Sequence, residues 1–196
     1  MNNIKIRSLN MEEVNTVAEL IATGYRNDIF FHWVVNNEKD RHKIVTDYYK
    51  IYLRAKGCVA HVAETTLGEI VAAAVWLPHD VDTKIYDEMD NIAGVYAPNF
   101  RAVADMSHES EPSGIPFYQL VGFVVRDDLQ GRGIGAALLK HHLDILDNLG
   151  IPTYLEASTP YHGKGVYGKF GYDLYGQVMV FSETAVLYPL WRPAKG

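Results

Sequence analysis

Ile4-Lys5-Ile6-Arg7-Ser8-Leu9 alternates apolar and polar side chains, the pattern of a strand buried on one face. Asn10 stands three residues before Glu13, the spacing of a capping box, so a helix is expected to open there. Val14, Val17, Leu20 and Ile21 carry it on at helical spacing, and Gly24 ends it. A second helix is expected from about residue 40 to 56, with Ile44, Tyr48, Ile51 and Ala55 on one stripe and Gly57 as its stop. Residues 58–63 and 70–77 read as strands joined by the turn Thr66-Leu67-Gly68-Glu69, and Pro78 closes the pair. Residues 79–116 show patches of helical pattern. They hold too many apolar and aromatic side chains (Ile85, Tyr86, Ile92, Val95, Tyr96, Phe100) to be a solvated linker, so they read as an insertion lying over one face.

Residues 117–125 form a nearly continuous apolar run, as expected of a strand buried on both faces. A helix follows over about 133–149. Its apolar residues (Ile134, Leu138, Leu139, Leu143, Ile145, Leu146, Leu149) surround much of the circumference, which predicts deep burial, with Gly150 and Pro152 as its stop. A strand over 153–157, a short helix over 165–170 and one or two final strands from Leu174 complete the chain. The order β-α-α-β-β-(insertion)-β-α-β-α-β-β places it in the α/β (α+β) class, with a mixed central sheet flanked by helices and a helical insertion after the third strand. A length of 196 residues fits one domain, 1–196.

Composition narrows the function. With 18 Lys+Arg against 24 Asp+Glu the net charge is −6, which argues against a nucleic-acid partner, whose phosphates require basic patches. The single cysteine, Cys58, excludes a disulfide framework and a cysteine zinc site. No apolar run is long enough to span a membrane and the N-terminus lacks the apolar stretch of a signal peptide, so a cytoplasmic protein is expected. His141 and His142 are adjacent on a helix and point about 100° apart, which is not the i, i+4 spacing of a metal-binding helix; no metal is expected.

The segment richest in chemistry is Val125-Arg126-Asp127-Asp128-Leu129-Gln130-Gly131-Arg132-Gly133-Ile134-Gly135-Ala136. A strand ends, a turn follows, and a glycine-rich loop opens a helix. The first N–H groups of a helix lack partners and carry partial positive charge, so such a loop suits an anion. Gly131, Gly133 and Gly135 would let phosphate oxygens reach the backbone, and Arg132 could add a charged contact. A Walker loop is excluded because Gly135 is followed by Ala-Ala-Leu-Leu rather than Lys-Ser/Thr. A dinucleotide fingerprint fits poorly, since Ala136 replaces a glycine and no second βαβ half follows.

Gln130-x-x-Gly133-x-Gly135, together with Tyr154-Leu155-Glu156-Ala157 and Tyr167-Gly168-Lys169-Phe170-Gly171-Tyr172, resembles the signature of the GNAT superfamily of N-acetyltransferases. Ala74-Val75-Trp76-Leu77-Pro78, Leu155–Pro160 and the intervening insertion are similar to the puromycin N-acetyltransferase-like branch. The resemblance implies that acetyl-CoA is the co-substrate, that 117–172 is its binding core, and that Val124, Val125, Gln130, Gly131, Arg132, Gly133, Ile134, Gly135 and Ala136 contact it, with strand N–H groups at the acetyl carbonyl. It implies that Tyr167 protonates the coenzyme sulfur. It also implies pairing of two copies through exposed end strands. The chain departs from the pattern at Gly163, where the family often has an asparagine on the pantetheine arm; His162 and Lys164 are the substitutes at hand.

Transfer to an amine needs the neutral base, and an alkyl ammonium of pKa ~10.4 is only about four parts in ten thousand neutral at pH 7. The base is left open among Glu156, His108, Glu109 and Glu111. For Glu156 a solvent-facing or salt-bridged place on its strand is the expected one. Tyr25, Phe30, Phe31, Trp33 and Trp76 read first as core and loop anchors, and alternatively as an aromatic wall for a hydrophobic or cationic amine. The reading is an acetyltransferase acting on a primary amine of a small molecule. A protein lysine or N-terminal acetyltransferase and a non-catalytic CoA-binding regulatory domain are the alternatives.

Overall fold

In a computed structural model that describes residues 4–160 and 163–195, eight strands form the sheet system, with helices on both faces. The elements are β1 (Ile4–Ser8), α1 (Val14–Gly24), α2 (Ile29–Val34), α3 (Glu38–Arg54), β2 (Val59–Thr65), β3 (Ile70–Pro78), α4 (Lys84–Ala93), α5 (Ala97–Ser110), β4 (Tyr118–Val125), α6 (Ile134–Asn148), β5 (Thr153–Ala157), β6 (Asp173–Leu174), β7 (Met179–Val180) and β8 (Val186–Arg192). The strand order is β1-β2-β3-β4-β5-β8-β6, with β7 on β8. All pairs are antiparallel except β4 with β5, which α6 joins as a crossover helix. The mixed α/β class with a helical insertion is as the sequence implies.

β3 explains the layering. In Val71-Ala72-Ala73-Ala74-Val75-Trp76 successive side chains alternate between faces. Ala72, Ala74 and Trp76 pack with Leu138, Leu139 and Leu143 of α6, while Ala73 and Val75 pack with Val17 and Ile21 of α1 and Val45, Tyr49 and Leu53 of α3. A third, smaller core joins Phe30 and Val34 of α2 to Ala93, Ala97 and Phe100 of the insertion and to Leu187 of β8.

Three local expectations need correction. The segment between the first two expected helices contains α2, whose start Asp28 caps by accepting from the Phe30 N–H at 2.9 Å. α6 is not buried all round: Ile145 is 40% and Leu149 65% exposed. Nor is β4 buried on both faces. Leu120, Gly122 and Val124 are buried, while Val121, Phe123 and Val125 are only partly covered, because a cavity opens beside them. The capping box does form, with the Asn10 N–H donating to the Glu13 carboxylate at 3.1 Å. No helix among the described residues is long and apolar enough to cross a membrane.

Candidate active site

The cavity exists because two parallel strands part company. β4 pairs with β5 only from Tyr118 to Leu120, against Thr153 to Leu155; beyond Leu120 the two diverge. On its other side β4 slips register against β3: Leu120 and Gly122 are matched to Trp76 and Val75, leaving Val121 as a bulge. After the bulge the Arg126 N–H donates to Val71 O at 2.8 Å. By antiparallel alternation the polar backbone groups of Val124 and Gly122 therefore face β3, and those of Phe123 and Val125 face the opening.

Side chains supply partners that the missing strand does not. The Tyr25 hydroxyl accepts from the Phe123 N–H at 3.0 Å and donates to Phe123 O at 3.3 Å. Tyr49 donates to the bulged Val121 O at 2.9 Å, and Gln130 Nε2 to Val125 O at 3.0 Å. Tyr49 can lie this close only because residue 122 is glycine, since a Cβ there would stand 2.8 Å from the Tyr49 ring.

The glycine loop closes one end. Gly131 and Gly133 have φ of +73° and +80°, conformations that favour glycine. A Cβ at Gly131 would meet nothing within 4 Å, so the loop presents open backbone. Gly133 is the N-cap of the 15-residue α6 and offers no side-chain cap, which leaves the first-turn N–H groups to a ligand. At Gly135 a Cβ would stand 3.0 Å from the Phe123 ring and 3.2 Å from Val125, so this glycine seats α6 against β4. These features fit a pyrophosphate. The nearby arginines are otherwise engaged: Arg126 with Glu69 and Asp128, Arg26 with Asp127, and Arg132 with Asp128 O at 3.0 Å. Arg132 does not border the cavity, whereas Lys169 does and has no ion-pair partner among the described residues.

From this loop a cavity of about 950 Å³ runs along the opening of β4 to the insertion. Its far half is aromatic and acidic. Phe30, Phe31, Tyr48, Tyr52, Tyr86 and Phe100 line it, with the Tyr48 and Tyr52 hydroxyls 2.7 Å apart. Glu156 enters from β5 on the same face as Tyr154, two residues away. Ser107 Oγ donates to one carboxylate oxygen at 3.0 Å and the Tyr154 hydroxyl to the other at 3.2 Å. Burial pushes the Glu156 carboxyl up to about 7, the Glu111 charge adds to this, and the two hydrogen bonds oppose it. The solvent-facing or salt-bridged placement expected for Glu156 is therefore corrected: it lies inside, with hydroxyl partners. Of the other candidate bases, Glu111 and the exposed His108 border the cavity and Glu109 does not.

Tyr167 reaches the cavity between its two halves, its ring 6.2 Å from Phe123 and 5.9 Å from Tyr172. Burial holds its phenol above the ordinary range, so it is protonated at neutral pH. No protein group among the described residues bonds its hydroxyl. Val125, Gln130, Gly131, Gly133, Ile134, Gly135, Ala136 and Tyr167 thus border one cavity. Val124 borders it too, but its backbone turns to β3 and its side chain packs beneath Gly24. Among the aromatic residues singled out, Tyr25, Phe30 and Phe31 line the cavity; Trp33 packs at a tilt on Phe181, and Trp76 is buried behind the sheet against His142. His162 and the side chain of Lys164 lie outside the described residues. Ser107 and Tyr154 carry no sequence signal as partners of Glu156, because they come from separate elements.

The fold and this site define an acyl-CoA-dependent N-acetyltransferase. A family model described as "Acetyltransferase (GNAT) family" matches residues 26–172, and the chain belongs to that family, whose members use acetyl-CoA as co-substrate. Comparison with the sequences of curated proteins finds no match. Among solved structures, a histone acetyltransferase HPA2 and related acetyltransferase from Corynebacterium glutamicum is similar with a TM-score of 0.72 and 16% identity, covering 99% of this chain and 98% of that one. An agmatine N-acetyltransferase mutant in its apo form has a TM-score of 0.65 and 15% identity over 98% and 100%. A ribosomal-protein alanine N-acetyltransferase from Escherichia coli has 0.57 and 15% over 98% and 95%. At these identities the likeness is one of fold, and it favours no branch of the family.

Proposed function

We propose that this protein transfers the acetyl group of acetyl-CoA directly to a primary amine of a small cationic molecule, with Glu156 as general base and Tyr167 as donor to the departing sulfur. The observation that carries this reading is Glu156, a carboxylate inside an aromatic cavity at the end remote from the glycine loop. Acetyl-CoA supplies the thioester carbonyl. The loop residues Gly131, Gly133 and Gly135 and the start of α6 receive its pyrophosphate, and the opening of β4 receives its arm. An incoming ammonium meets Glu156 and Glu111 between tyrosine faces, where charge and cation–π attraction favour it. Glu156 removes its proton, and a carboxyl at about 7 is half in its basic form at neutral pH.

The aromatic and acidic lining of that end favours a small cationic acceptor over a peptide. The similarity to the puromycin N-acetyltransferase-like branch, carried by Ala74–Pro78 and Leu155–Pro160, is in keeping with that. Thiol release from acetyl-CoA in the presence of a panel of alkyl and arylalkyl amines, against a panel of lysine and free N-terminal peptides, tests the reading. Turnover with peptides alone would replace it, and coenzyme binding with no turnover on either panel would make the protein a CoA-binding module.

Two substitutions test the division of the site. Gly133→Val forces a β-branched residue into a left-handed conformation at the helix start, so acetyl-CoA binding measured by calorimetry is expected to weaken roughly ten- to a hundredfold. Tyr167→Phe is expected to lower kcat about ten- to a hundredfold while acetyl-CoA affinity stays within about twofold. A phenol held above ~10 cannot readily give its proton to a thiolate of ~8.5, so the hydroxyl acts mainly by hydrogen-bonding the sulfur as charge develops. An unchanged kcat would remove Tyr167 from the chemistry.

A further inference from the structure

We propose that Tyr25 competes with the acyl group for the Phe123 amide: in the ligand-free protein its hydroxyl holds the backbone N–H to which the thioester carbonyl is delivered, and acyl binding moves it off. This rests on the reading above that acetyl-CoA lies along β4.

The place of the carbonyl follows from what surrounds it. Of the two amides after the bulge that face the opening, Val125 adjoins the glycine loop, whereas the Phe123 amide holds the Tyr25 hydroxyl, which lies near enough to act electrostatically on Tyr167, the donor to the sulfur; the Phe123 and Tyr167 rings are 6.2 Å apart. The reacting carbon must stand between that sulfur and the amine at Glu156, which puts its oxygen at Phe123. A developing oxyanion needs a fixed donor, and a backbone N–H on a paired strand is one. That N–H is already taken by Tyr25 at 3.0 Å.

Tyr25 suits the task of a stand-in. It ends α1 as the C-cap residue and its ring is held by Phe31, stacked at 5.2 Å, and by Tyr49 at 5.8 Å. Its hydroxyl both accepts from and donates to Phe123, so it satisfies two groups that parting strands would otherwise leave orphaned. A carbonyl oxygen can replace it only as acceptor. Displacing the hydroxyl therefore also breaks the bond it donates to Phe123 O, the longer of the two at 3.3 Å. The arrangement keeps the amide aligned while the site is empty, at the cost of a competitor that specifically opposes the acyl group.

The experiment compares acetyl-CoA with CoA, which lacks the carbonyl, in calorimetric titrations of the wild type and Tyr25→Phe. Removing the hydroxyl leaves the Phe123 N–H for the ligand, so acetyl-CoA is expected to bind about tenfold tighter while CoA changes less than about twofold. An equal change for both ligands, or weaker acetyl-CoA binding to the variant, would overturn the proposal. Should the variant not fold, the amide resonance of Phe123 in the wild type carries the test. It is expected to shift with acetyl-CoA and stay in place with CoA, and equal shifts would sink the idea. If neither ligand binds the wild type, the acetyl-CoA reading itself fails; if both bind with an unaltered ratio in the variant, only the role of Tyr25 does.

Discussion

Glu156→Gln is expected to lower kcat by about a hundred- to ten-thousandfold and to erase the acid limb of its pH profile. In the wild type burial pushes the carboxyl up to about 7 in the ligand-free protein, so kcat/KM should climb with pH and level off above about 8. The neighbours give the assignment internal checks of opposite sign. Glu111→Gln removes a negative charge that raises Glu156, so the limb should move to lower pH. Ser107→Ala removes a hydroxyl that favours the carboxylate, so the limb should move up. Stability should run against activity. A carboxyl whose folded pKa lies above its unfolded value stabilises the fold below about 4.5, and that contribution is lost as pH rises through about 7. Glu156→Gln should therefore raise the urea midpoint at pH 8 by an amount reflecting a penalty of the order of 3 kcal/mol, and change it little at pH 5. A variant that kept most of its kcat and the same acid limb would remove Glu156 as the base.

Why that carboxylate was not legible in the sequence is a matter of faces. Alternation along β5 puts Tyr154 and Glu156 on one side, but which side carries the cavity is decided by where β4 and β5 separate and where the insertion folds back. The loop from Gln130 to Gly135 was legible because its features are local: two glycines at positive φ, a third without a Cβ, and a helix start. α2 was hidden because Ile29-Phe30-Phe31-His32-Trp33-Val34 is nearly all apolar and too short to show a period. The insertion helices showed only patches because they bury few residues, Ile85, Met89, Ala93, Ala97 and Phe100, of which the last three join a minor core shared with α2 and β8. The β-bulge at Val121, which the Tyr49 contact exploits, left no mark at all beyond a glycine at 122.

The histidines give the second large effect, in stability rather than rate. His61 of β2 and His142 of α6 meet behind the sheet with ring centroids 5.0 Å apart, and Trp76 lies 4.7 Å from His142. Both histidines are over 95% buried, at 4% and 3% exposure, and among the described residues no hydrogen-bond partner reaches Nδ1 of His61 or either ring nitrogen of His142. Among the described residues no group of His, Cys, Asp or Glu is placed to hold a metal there. Burial, and next the repulsion of neighbouring histidine charge, push His61 down to about 4 and His142 to about 3. The unfolded chain takes up protons at these residues near 6.5, whereas the folded one refuses them until far lower pH. Stability is therefore full above about 6.5 and falls as pH drops from there towards 4. At pH 5 each histidine should have removed about 2 kcal/mol, a large part of the 5–15 kcal/mol that holds an ordinary domain together. Glu156 works in the opposite direction over the same window, so the informative quantity is the difference between the wild type and His142→Phe, in which the Glu156 contribution cancels. The aromatic replacement retains the packing on Trp76 and has nothing to protonate. In urea unfolding the two proteins should differ little at pH 7.5, and the variant should be the more stable by about 2 kcal/mol at pH 5. Parallel stability curves from pH 7.5 to 5 would show that His142 takes up its proton as readily folded as unfolded, and His142 would then carry no acid sensitivity.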